Sequence, residues 1–284
     1  MNIEELLREA SDGLRAAGVP QPAREAGLLL SLALKRGRSF LIAHPEYTLS
    51  EGELERFRSF VARRITREQY QYISGKQEFF GSDFMVSPAV LIPRPETELL
   101  VETAIAELGR LGGTARFCEL GVGSGCISVS ILRHVPNAAA WAGDISVDAV
   151  EIARRNAIAL GVDDRIRLNI SDLFEAAGEQ TFELIVSNPP YVPAAEISGL
   201  QPEVRDHEPY VALSDAADGL SIISKIIDEA PAFLNAGGVL LLEIGFDQSA
   251  KVLQMYPRSI WETVELLPDL QGIPRVVKAV LQGN

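Results

Sequence analysis

An alternation of strand and helix signals over the second half of the chain constrains its fold more than any other feature. After Gly112-Gly113, short apolar runs predict buried strands, and most are followed by a segment with helical spacing. The predicted strands are 115–120, 138–143, 165–170, 182–187, 238–244, 260–266 and 274–281. Because strands joined by helices run parallel, we expect a mostly parallel sheet covered on both faces, an α/β fold. The last two strands have no helix between them, so we expect them to form a hairpin with one strand antiparallel.

The residues before this alternation predict a different organisation. Apolar residues recur at helical spacing over residues 1–70, which predicts a small helical bundle. Residues 71–93 predict a connector containing a β-hairpin that turns at Gly81-Ser82-Asp83. A third segment, 94–284, contains the strand and helix alternation. Within it, helices are predicted over about 95–108 and 218–234.

Composition narrows the class of protein. The chain has 284 residues, 47% of them hydrophobic and 23% charged, which is typical of a globular enzyme. Its start lacks the features of a signal peptide, and no apolar run approaches the roughly 18 residues of a membrane span, so we expect a soluble, cytoplasmic protein. Two cysteines and three scattered histidines predict neither a disulfide framework nor a metal site. The net charge of −13 argues against tight, sequence-blind binding to nucleic acid.

A glycine-rich turn follows the strand predicted at 115–120. It reads Gly121-Val122-Gly123-Ser124-Gly125, at the edge where α/β sheets bind ligands. The turn lacks the Gly-Lys-Ser/Thr of a phosphate-binding loop, and its spacing is GxGxG rather than GxGxxG. It therefore suits a nucleoside without phosphates, such as S-adenosylmethionine, better than a dinucleotide. A tight turn that binds no ligand remains an alternative.

Acidic residues follow the next two strands. Asp144 lies about twenty residues after the glycine turn, where a carboxylate can accept both ribose hydroxyls of a nucleoside. Asp172 is placed to accept from an adenine amino group, and Leu173 offers an apolar surface and a backbone N–H beside the ring. The alternatives are capping of the following helix by Asp144 together with Ser146, and a simple turn at Asp172.

The strand at 182–187 ends in Asn188-Pro189-Pro190-Tyr191. Two consecutive prolines cannot donate to a sheet, so the chain must leave the strand here in a stiff turn. The turn presents the Asn188 amide, backbone carbonyls and an aromatic face, which together suit a planar group bearing an –NH2. A surface loop stiffened by proline is the alternative.

Together these residues resemble class I S-adenosylmethionine-dependent methyltransferases, and within them the PrmC/HemK family of release factor N5-glutamine methyltransferases. The resemblance covers almost the whole chain. Its most specific stretch is Ile92-Pro93-Arg94-Pro95-Glu96-Thr97-Glu98; the Asn-Pro-Pro-Tyr turn is shared with DNA adenine methyltransferases. Further matching segments are Gln71–Gly75, Pro202–Val204, Glu208-Pro209, Asp218–Leu220 and Leu242–Gly245. Two minor departures are Val122, where the family usually has Thr, and Gln69, where a proline is common.

The resemblance implies methyl transfer from S-adenosylmethionine to the glutamine of the Gly-Gly-Gln motif in peptide-chain release factors, in translation termination. It implies a class I methyltransferase domain at 94–284 and a substrate-recognition role for 1–70. The implied catalytic residues are Asn188, Pro189 and Tyr191, which with Pro190 would also bind the substrate. The implied cofactor-binding residues are Gly121, Val122, Gly123, Ser124, Gly125, Asp144, Asp172, Leu173 and Asn188. It assigns no individual role to Arg94, Glu96 or Thr97.

Two other functions remain open from the sequence. Adenine also presents a planar –NH2, so a nucleic-acid adenine-N6 methyltransferase is one alternative, although its base would have to be flipped out of a duplex. The acidic composition and the lack of a basic recognition domain after the turn count against it. The other alternative is a non-catalytic module that binds the cofactor and docks a partner.

Overall fold

The computed structural model describes residues 1–111 and 114–283; Gly112, Gly113 and Asn284, which belong to the predicted segment 94–284, lie outside the described residues. The described chain forms two compact units. The first contains residues 1–75 together with 201–207, and the second contains the described residues of 76–200 and 208–284. From the sequence alone, 201–207 is predicted to belong to the third segment, 94–284.

The helices are α1 (Ile3–Ala16), α2 (Pro22–Leu34), α3 (Arg38–Ala43), α4 (Glu51–Ile65), α5 (Tyr70–Ser74), α6 (Glu98–Arg110), α7 (Cys126–His134), α8 (Val147–Ala159), α9 (Pro202–Arg205), α10 (Tyr210–Leu213), α11 (Ser221–Glu229) and α12 (Ser249–Leu253). The strands are β1 (Lys76–Phe79), β2 (Ser82–Met85), β3 (Arg116–Leu120), β4 (Ala139–Asp144), β5 (Ile166–Ile170), β6 (Phe182–Ser187), β7 (Leu234–Glu243), β8 (Trp261–Pro268) and β9 (Pro274–Leu281). Short 3-10 helices lie at Pro95–Thr97, Ala194–Gly199 and Ala230–Ala232. None of the described helices is both long and apolar enough to cross a bilayer.

The first unit is helical. Helices α1 and α4 each begin with a capping box, in which Asn2 and Ser50 exchange hydrogen bonds with a glutamate three residues later. Their apolar faces pack with α2 around fully buried leucines, including Leu14, Leu29 and Leu30. The predicted helical bundle is confirmed.

Ion pairs within this unit hold the inserted segment 201–207. The guanidinium of Arg64 is buried and lies 2.9 Å from a carboxylate oxygen of Glu25 and 3.2 Å from one of Glu203. Arg67 lies 2.7 Å from the other oxygen of Glu203. Buried charges persist only when they are paired and hydrogen-bonded, so these contacts fix where Glu203 lies within the unit.

The second unit is built on a seven-stranded sheet of order β5-β4-β3-β6-β7-β9-β8. Strands β3 to β7 pair in parallel, whereas β9 pairs antiparallel with both β7 and β8. The α/β class and the antiparallel hairpin at the end of the chain are therefore confirmed. The chain reverses its winding between β3 and β6, and such a reversal opens a crevice at the carboxyl ends of the strands.

Strand register decides which residues meet at that edge. Leu120 of β3 pairs with Gly143 of β4 and with Ser187 of β6, and Ser187 in turn pairs with Leu242 of β7. The residues that follow each of these, including Asp144 and Asn188, therefore leave the sheet side by side.

Two predicted elements were wrong in detail. The hairpin turns at Phe80-Gly81, where both residues have positive φ (48° and 70°) as a two-residue turn of this type requires, and Ser82 already belongs to β2. The helix predicted over 218–234 is shorter, because Gly219 has φ +77° and the carboxylate of Asp215 accepts the backbone N–H groups of Gly219 and Ser221. Strand β7 correspondingly begins at Leu234 rather than at 238.

Candidate functional site

A cavity of about 380 Å³ lies at the carboxyl edge of the sheet in the second unit. Its wall includes Gly121 to Ser124 of the glycine turn, Asp144, Asp172, Leu173 and the start of the diproline turn. Ligand pockets in proteins have volumes of roughly 300–1,000 Å³, so the cavity is large enough for a nucleoside-sized molecule. The residues that the sequence singled out in separate segments thus meet in one place, except Gly125 and Tyr191, which are absent from the described residues of the cavity wall.

The glycine turn is held by backbone hydrogen bonds to the neighbouring strand. The N–H groups of Gly121 and Val122 both donate to the carbonyl of Gly143, at 2.9 and 3.0 Å. Gly125 has φ +79°, and a Cβ there would lie 3.2 Å from the Cβ of Ala153. A side chain at this position would therefore strain the turn and press on α8.

Asp144 braces the same turn. Its Oδ2 accepts from the backbone N–H of Gly123 and its Oδ1 from that of Ser146, each at 2.9 Å. Burial raises the pKa of this carboxyl, and these hydrogen bonds oppose the rise. The N-cap of α8 is Ser146, whose side chain accepts from the backbone N–H of Ala149. Asp144 therefore does not cap the helix itself but holds the residue that does. Each carboxylate oxygen keeps a free lone pair, which leaves acceptors for a ligand.

Asp172 and Leu173 lie at another part of the wall. The carboxylate of Asp172 is 3.6 Å from the ammonium of Lys225, and both side chains are about half exposed. Leu173 adopts a left-handed conformation with φ +46°, which is uncommon for a residue other than glycine. Its carbonyl accepts a 2.8 Å hydrogen bond from the Ser171 hydroxyl, which supports this conformation.

The diproline turn places Asn188, Pro189 and Pro190 in the cavity wall. The Asn188 amide donates from Nδ2 to the hydroxyl oxygen of Thr97, at 3.2 Å. Its Oδ1 accepts no hydrogen bond from any residue that the structure describes. The turn therefore offers a free acceptor to whatever occupies the cavity.

The second exception is Tyr191. It is absent from the described residues that line the cavity and packs instead against the core between the sheet and α11. Its hydroxyl lies 3.4 Å from Oε1 of Glu243. Burial, reinforced by the charge of Glu243, raises the pKa of Tyr191. The structure thus does not bring the Tyr191 ring to the cavity wall, and its stacking on a substrate stays a prediction.

Two buried carboxyl groups at this edge are not predicted as site residues from the sequence. Glu119 lines the cavity, is fully buried, and accepts from the Ser128 backbone N–H and hydroxyl through Oε2; burial raises its pKa to about 8. Glu243 is 1% exposed, and burial raises its pKa to about 7. Both are glutamates at the ends of otherwise apolar strands, and that was the available signal.

The Pro-Arg-Pro-Glu-Thr stretch also reaches the site. Arg94 and Thr97 line the cavity, whereas Glu96 is exposed. Arg94 forms an ion pair of 2.5 Å with Glu208, whose side chain is fully buried. This pair ties the stretch to the start of the segment that carries Tyr210, another residue of the cavity wall.

Comparison with known proteins agrees with this architecture. Residues 5–75 match the PrmC N-terminal domain, and residues 95–200 match the methyltransferase small domain. A solved structure, a methyltransferase from Pyrococcus furiosus, has the same fold, with a TM-score of 0.55 at 19% identity over 78% of this chain and 99% of that one.

Two curated relatives carry the name release factor glutamine methyltransferase. The protein from Geobacter sulfurreducens is 44% identical over 97% of this chain and 95% of its own length. The protein from Koribacter versatilis is 40% identical over 98% of both chains. Identity at this level over nearly the full length shows that the chain belongs to the release factor glutamine methyltransferase family.

Proposed function

We propose that this chain transfers a methyl group from S-adenosylmethionine to the side-chain nitrogen (N5) of the glutamine in the Gly-Gly-Gln motif of class 1 peptide-chain release factors. The observation that carries the proposal is the free Oδ1 of Asn188 in the wall of a cavity that also contains the glycine turn. A primary amide needs acceptors for its two N–H groups, and this turn supplies them.

The cofactor fits the residues of the cavity. Oε1 of Glu119 is buried and receives no hydrogen bond from the described residues, so it is suited to a ligand group that donates, such as an ammonium. Gly121, Gly123 and Gly125 let the backbone approach a ligand closely, and Asp144 offers acceptors for ribose hydroxyls. Asp172 and Leu173 would contact the adenine. When bound, S-adenosylmethionine supplies an electrophilic methyl group on a sulfonium.

The residues of this chain contribute to the reaction by orienting the substrate amide. A glutamine amide is a poor nucleophile because its nitrogen lone pair is delocalised into the carbonyl. We propose that Asn188 Oδ1 and the Pro189 carbonyl accept the two N–H bonds, which pins the nitrogen with its π face toward the methyl group. Orientation of this kind can supply up to roughly 7–11 kcal/mol of a barrier. No base needs to act before transfer, because positive charge develops on nitrogen and the proton can leave afterwards.

The protein substrate needs a further surface. We propose that residues 1–70 recognise the release factor, with 71–93 as the connector and 94–284 as the catalytic domain. The glycines of the Gly-Gly-Gln loop leave room for its glutamine to enter the cavity. A substrate of this kind also places the chain in the cytoplasm, where translation terminates.

Mass spectrometry of a release factor incubated with the enzyme and cofactor tests the proposal. The expected product carries one added methyl on the Gly-Gly-Gln glutamine. Methyl transfer to DNA or RNA in place of the release factor would favour the adenine-N6 alternative, and no product with any substrate would favour a binding module.

Asn188→Ala tests the proposed role of the turn. Loss of one positioned hydrogen bond costs about 2.7–4 kcal/mol, so kcat should fall on the order of 10²–10³-fold. Asn137→Ala, at an exposed turn before β4, is the matched control and should keep its activity. Near-normal turnover by Asn188→Ala would reject the role.

A further inference from the structure

We propose that Asn156 of α8 is a positioning residue for cofactor binding: its side-chain amide holds the glycine turn at Ser124 and ties this turn to the β1–β2 hairpin. The inference rests on the proposed function, because it takes the ligand of the turn to be S-adenosylmethionine. Asn156 is not among the described residues that line the cavity, so it acts on a ligand only through the turn. It is 1% exposed, and a buried polar group needs hydrogen-bond partners.

The amide of Asn156 makes three hydrogen bonds. Its Oδ1 accepts from the backbone N–H of Met85 at 2.8 Å, and its Nδ2 donates to the carbonyls of Met85 at 3.0 Å and Ser124 at 2.8 Å. An asparagine amide has two N–H hydrogens, so both are used. Only this orientation of the amide satisfies all three groups, because the N–H needs an acceptor and the two carbonyls need donors. The two bonds to Met85 therefore aim the remaining N–H at Ser124.

The bond to Ser124 completes the support of the glycine turn. Ser124 is 3% exposed, and among the described residues Asn156 alone donates a hydrogen bond to its carbonyl. On the preceding residue, Asp144 accepts from the N–H of Gly123 at 2.9 Å. Adjacent residues of the turn are thus held through one N–H and one carbonyl. Without the donor of Asn156, a buried carbonyl would lose its partner, and the turn would have to move to find another.

Helix α8 has small residues where it meets the turn. Ala153 precedes Asn156 by three residues and therefore lies on the same, buried face of the helix. A Cβ at Gly125 would lie 3.2 Å from the Cβ of Ala153, so the glycine and the alanine together permit a close approach. This approach brings the Asn156 amide within hydrogen-bond distance of Ser124.

The same amide makes the hairpin part of this support. Met85 is the last residue of β2, and its N–H and its carbonyl both bond to Asn156. The amide cannot turn away from Ser124 without breaking these two bonds as well. The turn is therefore ordered before any ligand arrives, and a site ordered in advance binds more tightly because the cost of ordering it is met in folding.

Two variants of Asn156 test the inference by calorimetric titration with S-adenosylmethionine. Asn156→Ala removes all three hydrogen bonds. Asn156→Asp keeps the size of the side chain and the acceptor for the Met85 N–H, but when ionised it cannot donate to Ser124. One hydrogen bond contributes a factor of roughly 3–10 to an equilibrium constant, so we expect the Kd to rise by about this factor or more in both variants.

Steady-state kinetics with a release factor give the same variants a second readout. The KM for S-adenosylmethionine should rise, whereas kcat at a saturating concentration should change little, because Asn188 and its turn are left in place. A higher KM with an unchanged kcat is the pattern of lost binding, and general damage to the fold would not produce it.

Gly81→Ala separates positioning from stability. Gly81 has φ +70° in the hairpin turn and open space around it, so an alanine there strains the hairpin but leaves the Asn156 amide in place. This variant should unfold at a lower urea concentration and keep the Kd and KM of the wild type. A wild-type Kd in either folded Asn156 variant would overturn the inference. An equal rise in Kd in Gly81→Ala would also overturn it, because stability alone would then explain the effect.

Hydrogen exchange measured without cofactor decides the inference independently of the proposed function. The N–H of Gly125 donates to the Val122 carbonyl at 2.7 Å within the turn. Its exchange with water should be faster by a factor of about 3–10 in Asn156→Ala and should match the wild type in Gly81→Ala. If the wild type binds no S-adenosylmethionine, the proposed function fails, and this comparison still stands. Equal exchange in Asn156→Ala and the wild type would show that Asn156 does not hold the turn.

The wild type alone decides if neither Asn156 variant folds. Both hydrogens of the Asn156 NH2 group are bonded to carbonyls, so they should exchange slowly with water. Their signals should also shift when S-adenosylmethionine is added, because one of them is bonded to the turn. Fast exchange, or signals that stay in place while the cofactor binds, would contradict the inference.

Discussion

The backbone carbonyl oxygen of Tyr191 accepts a 2.9 Å hydrogen bond from Nε2 of Gln248. The same amide nitrogen donates to the carbonyl of Gly219 at 3.2 Å, and its oxygen accepts from the N–H of Gly245 at 2.8 Å. One buried side chain thus satisfies three backbone groups from three loops. The far end of the diproline turn is held through these bonds, independently of Asn188.

Gly219→Ala should break this support. A Cβ at Gly219 would lie 2.2 Å from the Tyr191 carbonyl oxygen, and φ is +77°. The left-handed conformation alone costs a non-glycine residue roughly 1–2 kcal/mol, and relief of the clash must move the turn. We expect lower stability in urea unfolding and a kcat reduced by about tenfold or more. Gly199→Ala, an exposed position with open space around it, is the control and should change neither. Equal behaviour of the two variants would show that the turn tolerates displacement.

Asp144→Ala should weaken cofactor binding. It removes the acceptor for the Gly123 N–H and, on the proposed function, the acceptor for the ribose. Hydrogen bonds to a charged group contribute about 1.5–3 kcal/mol, so the Kd for S-adenosylmethionine should rise roughly 10- to 10²-fold. Isothermal titration calorimetry measures this without turnover. Asp163→Ala, in an exposed turn before β5, provides the comparison. Unchanged affinity in Asp144→Ala would remove Asp144 from the binding site.

Strand ends, the glycine turn and the diproline turn could be predicted from sequence because each is a local signal. Apolar runs mark β3 and β6, and proline and glycine mark where they end. The hydrogen bond between Asn188 and Thr97 could not be predicted from the sequence. It joins residues 91 positions apart and depends on the position of the 3-10 helix before α6. The pKa of Glu243 likewise depends on burial, which only the folded chain defines.

The grouping of 201–207 with the helical unit could not be predicted from the sequence for the same reason. It depends on ion pairs between residues about 140 positions apart, such as Arg64 with Glu203. Helical spacing showed the helices of the unit but not which charged residues meet. The hairpin turn is a local feature that could not be predicted either. It depends on the positive φ of Phe80, and a phenylalanine gives no sequence signal for that conformation.

Glu119→Gln should change how stability depends on pH. Burial raises the pKa of Glu119 to about 8, above its value in the unfolded chain. A raised pKa means that the folded state holds the proton more tightly, so stability is greatest at low pH and is lost as the pH rises through the folded pKa. Glu119→Gln has no titrating carboxyl proton at this position. Its melting temperature relative to the wild type should therefore increase from about pH 5 to about pH 9.

Differential scanning calorimetry of the protein without added cofactor measures this trend. Glu243, with a raised pKa of about 7, contributes a slope of the same sign, so some pH dependence should remain in Glu119→Gln. Glu262→Gln, which removes an exposed carboxyl from β8, is the control and should follow the wild type at every pH. A constant difference between Glu119→Gln and the wild type would mean that Glu119 titrates equally in the folded and unfolded chains.

Glu203→Gln should destabilise the helical unit, with the opposite dependence on pH. Burial alone would raise the pKa of Glu203, but hydrogen bonds from Arg67 and Arg64 outweigh it and lower the pKa. A lowered pKa stabilises the fold above the unfolded value, and this stability is lost as the pH falls through the folded value. Removing one partner of a buried ion pair costs about 3–5 kcal/mol when the other charge is left alone, and the cost here should be smaller because Arg64 keeps Glu25 as a carboxylate partner.

Chemical unfolding at neutral pH and in acid separates these two effects. At neutral pH Glu203→Gln should unfold at a lower urea concentration than the wild type, and the difference should shrink in acid, where the wild type also loses the charge. Glu55→Gln, at an exposed position of α4, controls for the loss of a surface carboxylate and should remain close to the wild type. If Glu203→Gln and Glu55→Gln unfold alike, the ion pairs of Arg64 and Arg67 do not hold the segment 201–207 in place, and its position must come from packing alone.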